Sequence, residues 1–251
     1  FLLGSGTQRL EEVITQRFPK ARILRMDLDT ARARHSHLEM WEKLERDEVD
    51  LLLGTQMIAK GLHLERVTLV GVLLADMSLY LPDFRAAERT FSLLTQVSGR
   101  AGRGLVAGEV IVQTYIPDHY ILKFAQRQDY HAFAEEELRR RKILRFPPYQ
   151  RLISILFSGA SQALTPKLAH RLGDWLKEAC RRPEFSKVSI VGPAPSPITR
   201  LRDRWRWRLL IRGAERRPAR ELLLLAREEW EKFPGHSQVQ LTLDADPLDL
   251  L

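Results

Sequence analysis

Short apolar runs alternate with amphipathic stretches through the first half of the chain, and the period of each predicts its fold. Residues 21–26 read as a strand ended by Asp27 and Asp29. Residues 36–46 set Leu38, Met40, Trp41 and Leu44 near helical spacing, and residues 49–53 form a second strand stopped at Gly54-Thr55. The run VTLVGVLLA at 67–75 is apolar at every position and closes on Asp76, as expected of a parallel strand covered on both faces. Residues 86–99 then read as a helix and 109–115 as a strand. This succession predicts a doubly wound, right-handed α/β lobe over residues 1–117. Ligands of such sheets gather at the carboxyl ends of the strands, where Gly54-Thr55 and Asp76 fall.

Residues 118–146 are helical in pattern and heavily charged, with Glu135-Glu136-Glu137 preceding Arg139-Arg140-Arg141-Lys142. Acid before base suits the helix dipole, so this stretch reads as a solvated linker helix. Phe146-Pro147-Pro148-Tyr149 breaks it and marks a domain boundary. Beyond lie a strand at 152–157, a helix at 162–180, strands at 187–191 and 205–211, a helix at 218–232 and a strand at 238–243. That order, β-α-β-β-α-β, predicts a ferredoxin-like α+β domain over residues 147–251.

Composition narrows the class. Over 251 residues the apolar share is 44% and the charged share 29%, which fits a soluble globular protein. No run of about eighteen apolar residues is present, which argues against a membrane-spanning helix, and no membrane partner is expected. The single cysteine, Cys180, excludes internal disulfides and a cysteine-cluster metal site, and fits the reducing cytoplasm. It reads as a small apolar residue on a helix face. A formal charge of +8 favours a polyanionic partner. The chain starts without Met, so a piece of something longer is expected.

The densest chemical signal is Gln96-Val97-Ser98-Gly99-Arg100-Ala101-Gly102-Arg103. Two planar guanidinium groups among small residues suit a phosphate held at a defined angle. Arginines aimed at a transferring phosphoryl group neutralise charge that develops in the transition state. The pattern Q-x-x-G-R-x-G-R resembles the sixth motif of superfamily-2 helicases. Gly54-Thr55-Gln56-Met57-Ile58-Ala59-Lys60-Gly61 follows the second predicted strand, and Leu81-Pro82-Asp83-Phe84-Arg85-Ala86, Phe146-Pro147-Pro148-Tyr149, Gly192-Pro193-Ala194-Pro195 and Asp244-Ala245-Asp246-Pro247 come in order after it. Together these resemble the PriA family of primosomal replication-restart DNA helicases across essentially the whole chain.

That resemblance implies a second RecA-like helicase lobe joined to a C-terminal domain, with ATP and Mg²⁺ as cofactors completed by a first lobe that carries the phosphate loop and acidic box. Zinc in a longer parent is implied by the family, with no ligands for it in this chain. Arg100, Arg103 and Gln96 take the catalytic roles in this reading, and Gly61, His63, Gly99 and Asp76 the nucleotide contacts. Without the first lobe, the chain is expected not to hydrolyse ATP. At the end of the second strand, Thr55 and Gln56 offer donors to a DNA phosphate and Lys60 adds charge attraction. His63 departs from the family pattern, which places an aspartate near this point, so the acidic group is displaced or lost.

In the second domain, Arg204, Arg206 and Arg208 interleave with Trp205 and Trp207, and strand alternation puts the arginines on one face and the tryptophans on the other. One reading is a phosphate and stacking surface for forked or single-stranded DNA; the other is inward tryptophans beneath an ordinary arginine face. Arg216, Arg217 and Arg220 stand at the start of the last predicted helix, where the dipole disfavours cations. The resemblance implies that Arg216 and Arg220 hold the acidic tail of single-stranded-DNA-binding protein, and that other primosome proteins are partners. The leading reading is part of an ATP-dependent DNA helicase acting in replication restart. The alternative is a catalytically inactive fork-DNA-binding scaffold that keeps the fold.

Overall fold

A computed structural model describes residues 6–26, 34–55, 67–99 and 108–250. It is a mixed α/β protein with both parallel and antiparallel sheets. Two compact units divide the chain: residues 1–73 with 92–113, and residues 74–91 with 114–251. The stretch read as a linker, 118–146, belongs to the second unit together with the turn and helix start at 74–91.

The first unit begins with α1 (Thr7–Arg17), a helix absent from the sequence reading. Its segment TQRLEEVITQR carries too few apolar positions for a conspicuous stripe, and none of its residues is buried. Strands β1 (Ile23–Met26) and β2 (Leu51–Gly54) flank α2 (Arg34–Glu45) and pair in parallel, Ile23 opposite Leu51 and Met26 opposite Gly54. Arg22 and Asp50 brace the entry to this pair with bonds of 2.7 and 3.1 Å, which pulls the Asp50 carboxyl down to about 2. Further on, β3 (Leu69–Val72) and β4 (Glu109–Val112) form a second parallel pair. The run at 67–75 was expected to be covered on both faces. Instead Leu69 is 58% exposed, and the run ends in a 3₁₀ turn at Ala75–Tyr80. Leu74 makes that break by adopting a positive φ of 51°. Helix α3 (Ala86–Ser98) starts in the second unit and ends in the first.

Within the second unit the expected single helix at 118–145 is two, α4 (Tyr120–Arg127) and α5 (Tyr130–Leu144). Gln128 takes a left-handed φ of 54°, and the Asp129 side chain accepts the Ala132 amide as an N-cap for α5. A cap one residue after a reversed backbone ends one helix and begins the next. The linker is also less solvated than its charge suggests. Arg141 donates to Glu137 at 2.7 Å and to Glu88 of α3 at 2.9 Å, and Tyr120 donates to the other Glu137 oxygen at 2.8 Å. Burial and that bond push the Tyr120 phenol well above its usual range. Phe91 stacks on Phe133 with centroids 4.0 Å apart, sealing the network on one side. Facing outward, Arg139 and then Arg140 hold the Glu136 carboxyl down to about 2.

The remaining elements are β5 (Arg151–Gly159), α6 (Leu164–Ala179), β6 (Val188–Leu201), β7 (Arg204–Gly213), α7 (Arg216–Trp230) and β8 (Val239–Ala245). Four strands make one antiparallel sheet in the order β6-β7-β5-β8. Helices α6 and α7 supply Leu168, Leu172, Leu176, Leu222 and Trp230 to one core with Ile155, Phe157, Leu209 and Ile211 of the sheet. Gly173 lets α6 approach β6, because a Cβ there would sit 2.7 Å from the Pro193 ring. Cys180 caps the end of α6, where burial raises its thiol pKa. Strand β6 runs ten residues past the expected end at 191, through Pro193, Pro195 and Pro197. An edge strand tolerates prolines because its outward N–H groups have no partner to lose.

Arg141→Ala strands the Glu137 carboxylate inside the helix pair and should lower unfolding stability by roughly 3 kcal/mol, read from urea denaturation. Burial, with Arg140 nearby, holds the His119 imidazole below its ordinary 6.5. The folded state therefore favours the neutral ring, a contribution present above about pH 6.5 and lost as pH falls through the lower folded value. Stability should decline on acidification from pH 7 to 5, and His119→Gln should flatten that part of the profile.

Candidate nucleic-acid interface

Gln96, read as catalytic, and Gly99, read as a nucleotide contact, lie together at the end of α3. Gln96 is exposed on its last turn, 3.5 Å from the Ser92 hydroxyl, and Gly99 follows the helix with its amide on the Thr95 carbonyl at 3.0 Å. A side chain at Gly99 would meet the Thr95 and Gln96 carbonyls at ordinary contact distance, 3.6 and 3.7 Å. Thr55 is exposed directly after β2, at the carboxyl edge of the first parallel pair. Gln56, Lys60, Gly61, His63, Arg100 and Arg103 lie outside the described residues.

Asp76 is placed differently from the expectation. Only 2% exposed, it accepts the Tyr115 amide at 3.3 Å and ties the 3₁₀ turn to the segment after β4. A carboxylate engaged inside the fold is a brace, and a nucleotide contact is not what its position offers.

The arginine–tryptophan alternation divides β7 by face. Trp207 lies on the helix side, edge-on to His170 of α6 at 5.2 Å and against the main core. Trp205 shares that side, with the Arg200 guanidinium 5.6 Å from its ring centre. On the opposite face Arg204 donates to the Ser158 hydroxyl at 3.0 Å and to its carbonyl. Arg206 is 8% exposed, so its guanidinium sits within the fold rather than on a phosphate-facing surface. Burial, then repulsion from Arg206, lowers the Arg208 pKa, while Asp249, Asp244 and Asp83 act in the opposite sense. Arg204 is thus bonded within the fold and Arg206 buried. This corrects the picture of an open arginine surface.

Asp83 is a junction that sequence reasoning did not single out. Its buried carboxylate accepts the amides of Arg85 at 2.9 Å and Leu250 at 3.2 Å and pairs with Arg89 at 3.2 Å, while Arg89 also donates to the Leu248 carbonyl. Its signal was an aspartate two residues before an arginine at the start of a helix. Its partner, the returning chain end, lies more than 160 residues away and leaves no local trace.

At the start of α7, Arg217 pairs with Glu221 at 2.8 Å and Glu215 with Lys187 at 2.6 Å. Arg216 and Arg220 are exposed, and neither makes an ion pair or hydrogen bond among the described residues. The described residues contain no grouping of His, Cys, Asp and Glu able to hold a metal ion, and no helix among them is long and apolar enough to cross a membrane.

Residues 142–248, which hold the whole antiparallel sheet, match the family described as Primosomal protein N C-terminal domain. Replication restart protein PriA of Bacillus subtilis is 41% identical over 244 residues, covering 97% of this chain and 30% of that protein. Its namesake from Synechocystis is 41% identical over 98% of the chain, and that from Haemophilus influenzae 36% over 98%. This chain belongs to the PriA family. It spans about three-tenths of the length of the curated relatives it matches.

The structure separates the arginines into two groups with different expected costs. Arg204→Ala, losing both Ser158 bonds, should destabilise the chain by about 1–2 kcal/mol, and Trp207→Ala by about 3 kcal/mol. Arg216→Ala and Arg220→Ala should stay within about 0.5 kcal/mol of the unaltered chain in the same denaturation measurement.

Proposed function

We propose that this chain is the second, RecA-like lobe and the ferredoxin-like C-terminal domain of an ATP-dependent DNA helicase that acts in replication restart. The observation that carries this reading is the end of α3, which leaves Gln96 exposed three residues before Gly99 in Gly99-Arg100-Ala101-Gly102-Arg103. The similarity along 97% of the chain to a protein named for replication restart supports it independently. The parallel pairs β1-β2 and β3-β4 are consistent with a RecA-like sheet. The order β6-β7-β5-β8 within β-α-β-β-α-β is consistent with a ferredoxin-like fold.

In this reading ATP, with Mg²⁺, supplies the phosphoryl group whose transfer drives the protein along DNA. Gln96 and Gly99 suit a nucleotide site by their exposure, and Arg100 and Arg103 would hold the phosphates. Asp76, buried and engaged, is left out of that set. Thr55, Gln56 and Lys60 contribute to the DNA track. Arg216 and Arg220 remain available for an acidic peptide, for which the tail of single-stranded-DNA-binding protein is the assigned ligand. Other primosome proteins are its further partners and the cytoplasm its place of action. Any zinc belongs to parts of the protein outside this chain.

One observation favours a second reading. Gly61-Leu62-His63-Leu64 lacks the expected carboxylate, and a neutral imidazole offers a single acceptor where a carboxylate offers several. A fork-binding scaffold without turnover follows if nucleotide coupling has been lost there. The ATPase rate of the full-length protein with forked DNA decides between them. Arg103→Ala should reduce that rate by about 10³-fold or more while fork affinity is retained. A rate unaffected by the substitution would remove the arginine assignment, and no turnover in the unaltered protein would favour the scaffold.

A further inference from the structure

The β6–β7 hairpin ends in a tip that the core does not require. Leu201 pairs with Arg204, leaving Arg202 and Asp203 as a two-residue loop in which both take positive φ, 49° and 58°. Such loops are ordinarily built from Asn-Gly, because a larger residue in this conformation crowds its own Cβ against backbone. Arginine at the first position therefore opposes the local preference and gains no packing in return. Arg202 is exposed and makes no ion pair or hydrogen bond among the described residues.

Its neighbours are arranged around it. The Arg200 guanidinium is steered by Asp203 at 2.9 Å and by the Trp205 ring, which fixes a second cation at the tip. Between the pairs Pro195–Trp207 and Arg200–Trp205, β6 carries four residues against one on β7. That bulge carries Ile198, 44% exposed, and Leu201 beyond it is 47% exposed. The hairpin thus presents two arginines and two branched apolar side chains at one extremity of the sheet. By contrast, the arginines farther along β7 are bonded or buried.

We propose that this tip is a contact for branched DNA, seated where duplex opens into single strands. Arg200 and Arg202 take phosphates, while Ile198 and Leu201 cover the face of the last base pair. Guanidinium groups bind phosphate by charge and paired hydrogen bonds. Apolar side chains pack against bases whose stacking partner is missing, as in proteins that wedge base steps apart. An acidic peptide satisfies the arginines alone, whereas phosphate beside an unstacked ring satisfies all four side chains. The inference rests on the DNA-binding reading above and assigns the part of the domain that meets the junction.

The test uses the 251-residue chain and fluorescence anisotropy with three labelled DNAs, a fork, a duplex and a single strand. Arg202→Asn combined with Asp203→Gly installs the favoured turn. It should raise the melting temperature yet weaken fork binding about tenfold and make the salt dependence shallower by about one unit of slope. Ile198→Ser with Leu201→Ser should abolish the preference for fork over duplex while duplex affinity holds. Unchanged fork affinity in both variants overturns the assignment of the tip and leaves the DNA reading standing. Failure of the unaltered chain to bind any of the three DNAs overturns the DNA reading itself. Loss of polyglutamate binding in the first variant, with fork binding intact, assigns the tip to a protein partner and also overturns the proposal.

Discussion

Alternation along β7 is the constraint on which the second unit depends. Successive side chains of a strand must point to opposite faces, so Leu209 and Ile211 can enter the core beneath α6 and α7 only if Trp205 and Trp207 share that side. The same geometry commits Arg204, Arg206, Arg208 and Arg212 to the other face. A slip of one residue would bury four guanidinium groups in the aliphatic core, which is far costlier than any local gain. Register is therefore set by charge as much as by apolar fit.

The arginine face still has to be accommodated, and the protein does so with its own chain. Arg204 bonds Ser158, Arg212 donates to the Leu144 carbonyl at the end of α5, and Arg208 lies in the field of Asp83, Asp244 and Asp249. Asp83 in turn holds the amide of Leu250 and pairs with Arg89. Polar contacts from the end of α5, from α3 and from the chain end thus lie on this side of the domain. Among the described residues, Arg202 at the hairpin tip and Arg216 and Arg220 at the start of α7 are exposed cations with no ion pair.

Much of this order was legible. The alternation of strands and helices, the end of α5 before Phe146-Pro147-Pro148-Tyr149 and the face alternation of β7 all follow from local period and turn chemistry. Other features were hidden for identifiable reasons. α1 lacks an apolar stripe and buries nothing, so periodicity passes over it. The division between α4 and α5 rests on Gln128 in a left-handed conformation, which few residues other than glycine or asparagine announce. The length of β6 was masked by prolines that an edge strand accepts. The bracing role of Asp83 depends on a chain end that returns from far along the sequence, and no window of residues encodes that.

The motif spacing alone names the site in the first half of the chain, and of its residues the structure describes Thr55, Asp76, Gln96 and Gly99. Gln96 and Gly99 are exposed at a helix end, whereas Asp76 turns inward and accepts the Tyr115 amide. Amide hydrogen exchange of the chain with and without forked DNA tests the central claim most directly. The account predicts slowed exchange over residues 198–204, with the amides of β7 beyond Arg206 unchanged because its arginine face is already occupied from within. Protection spread along β7 and absent from the tip would contradict it.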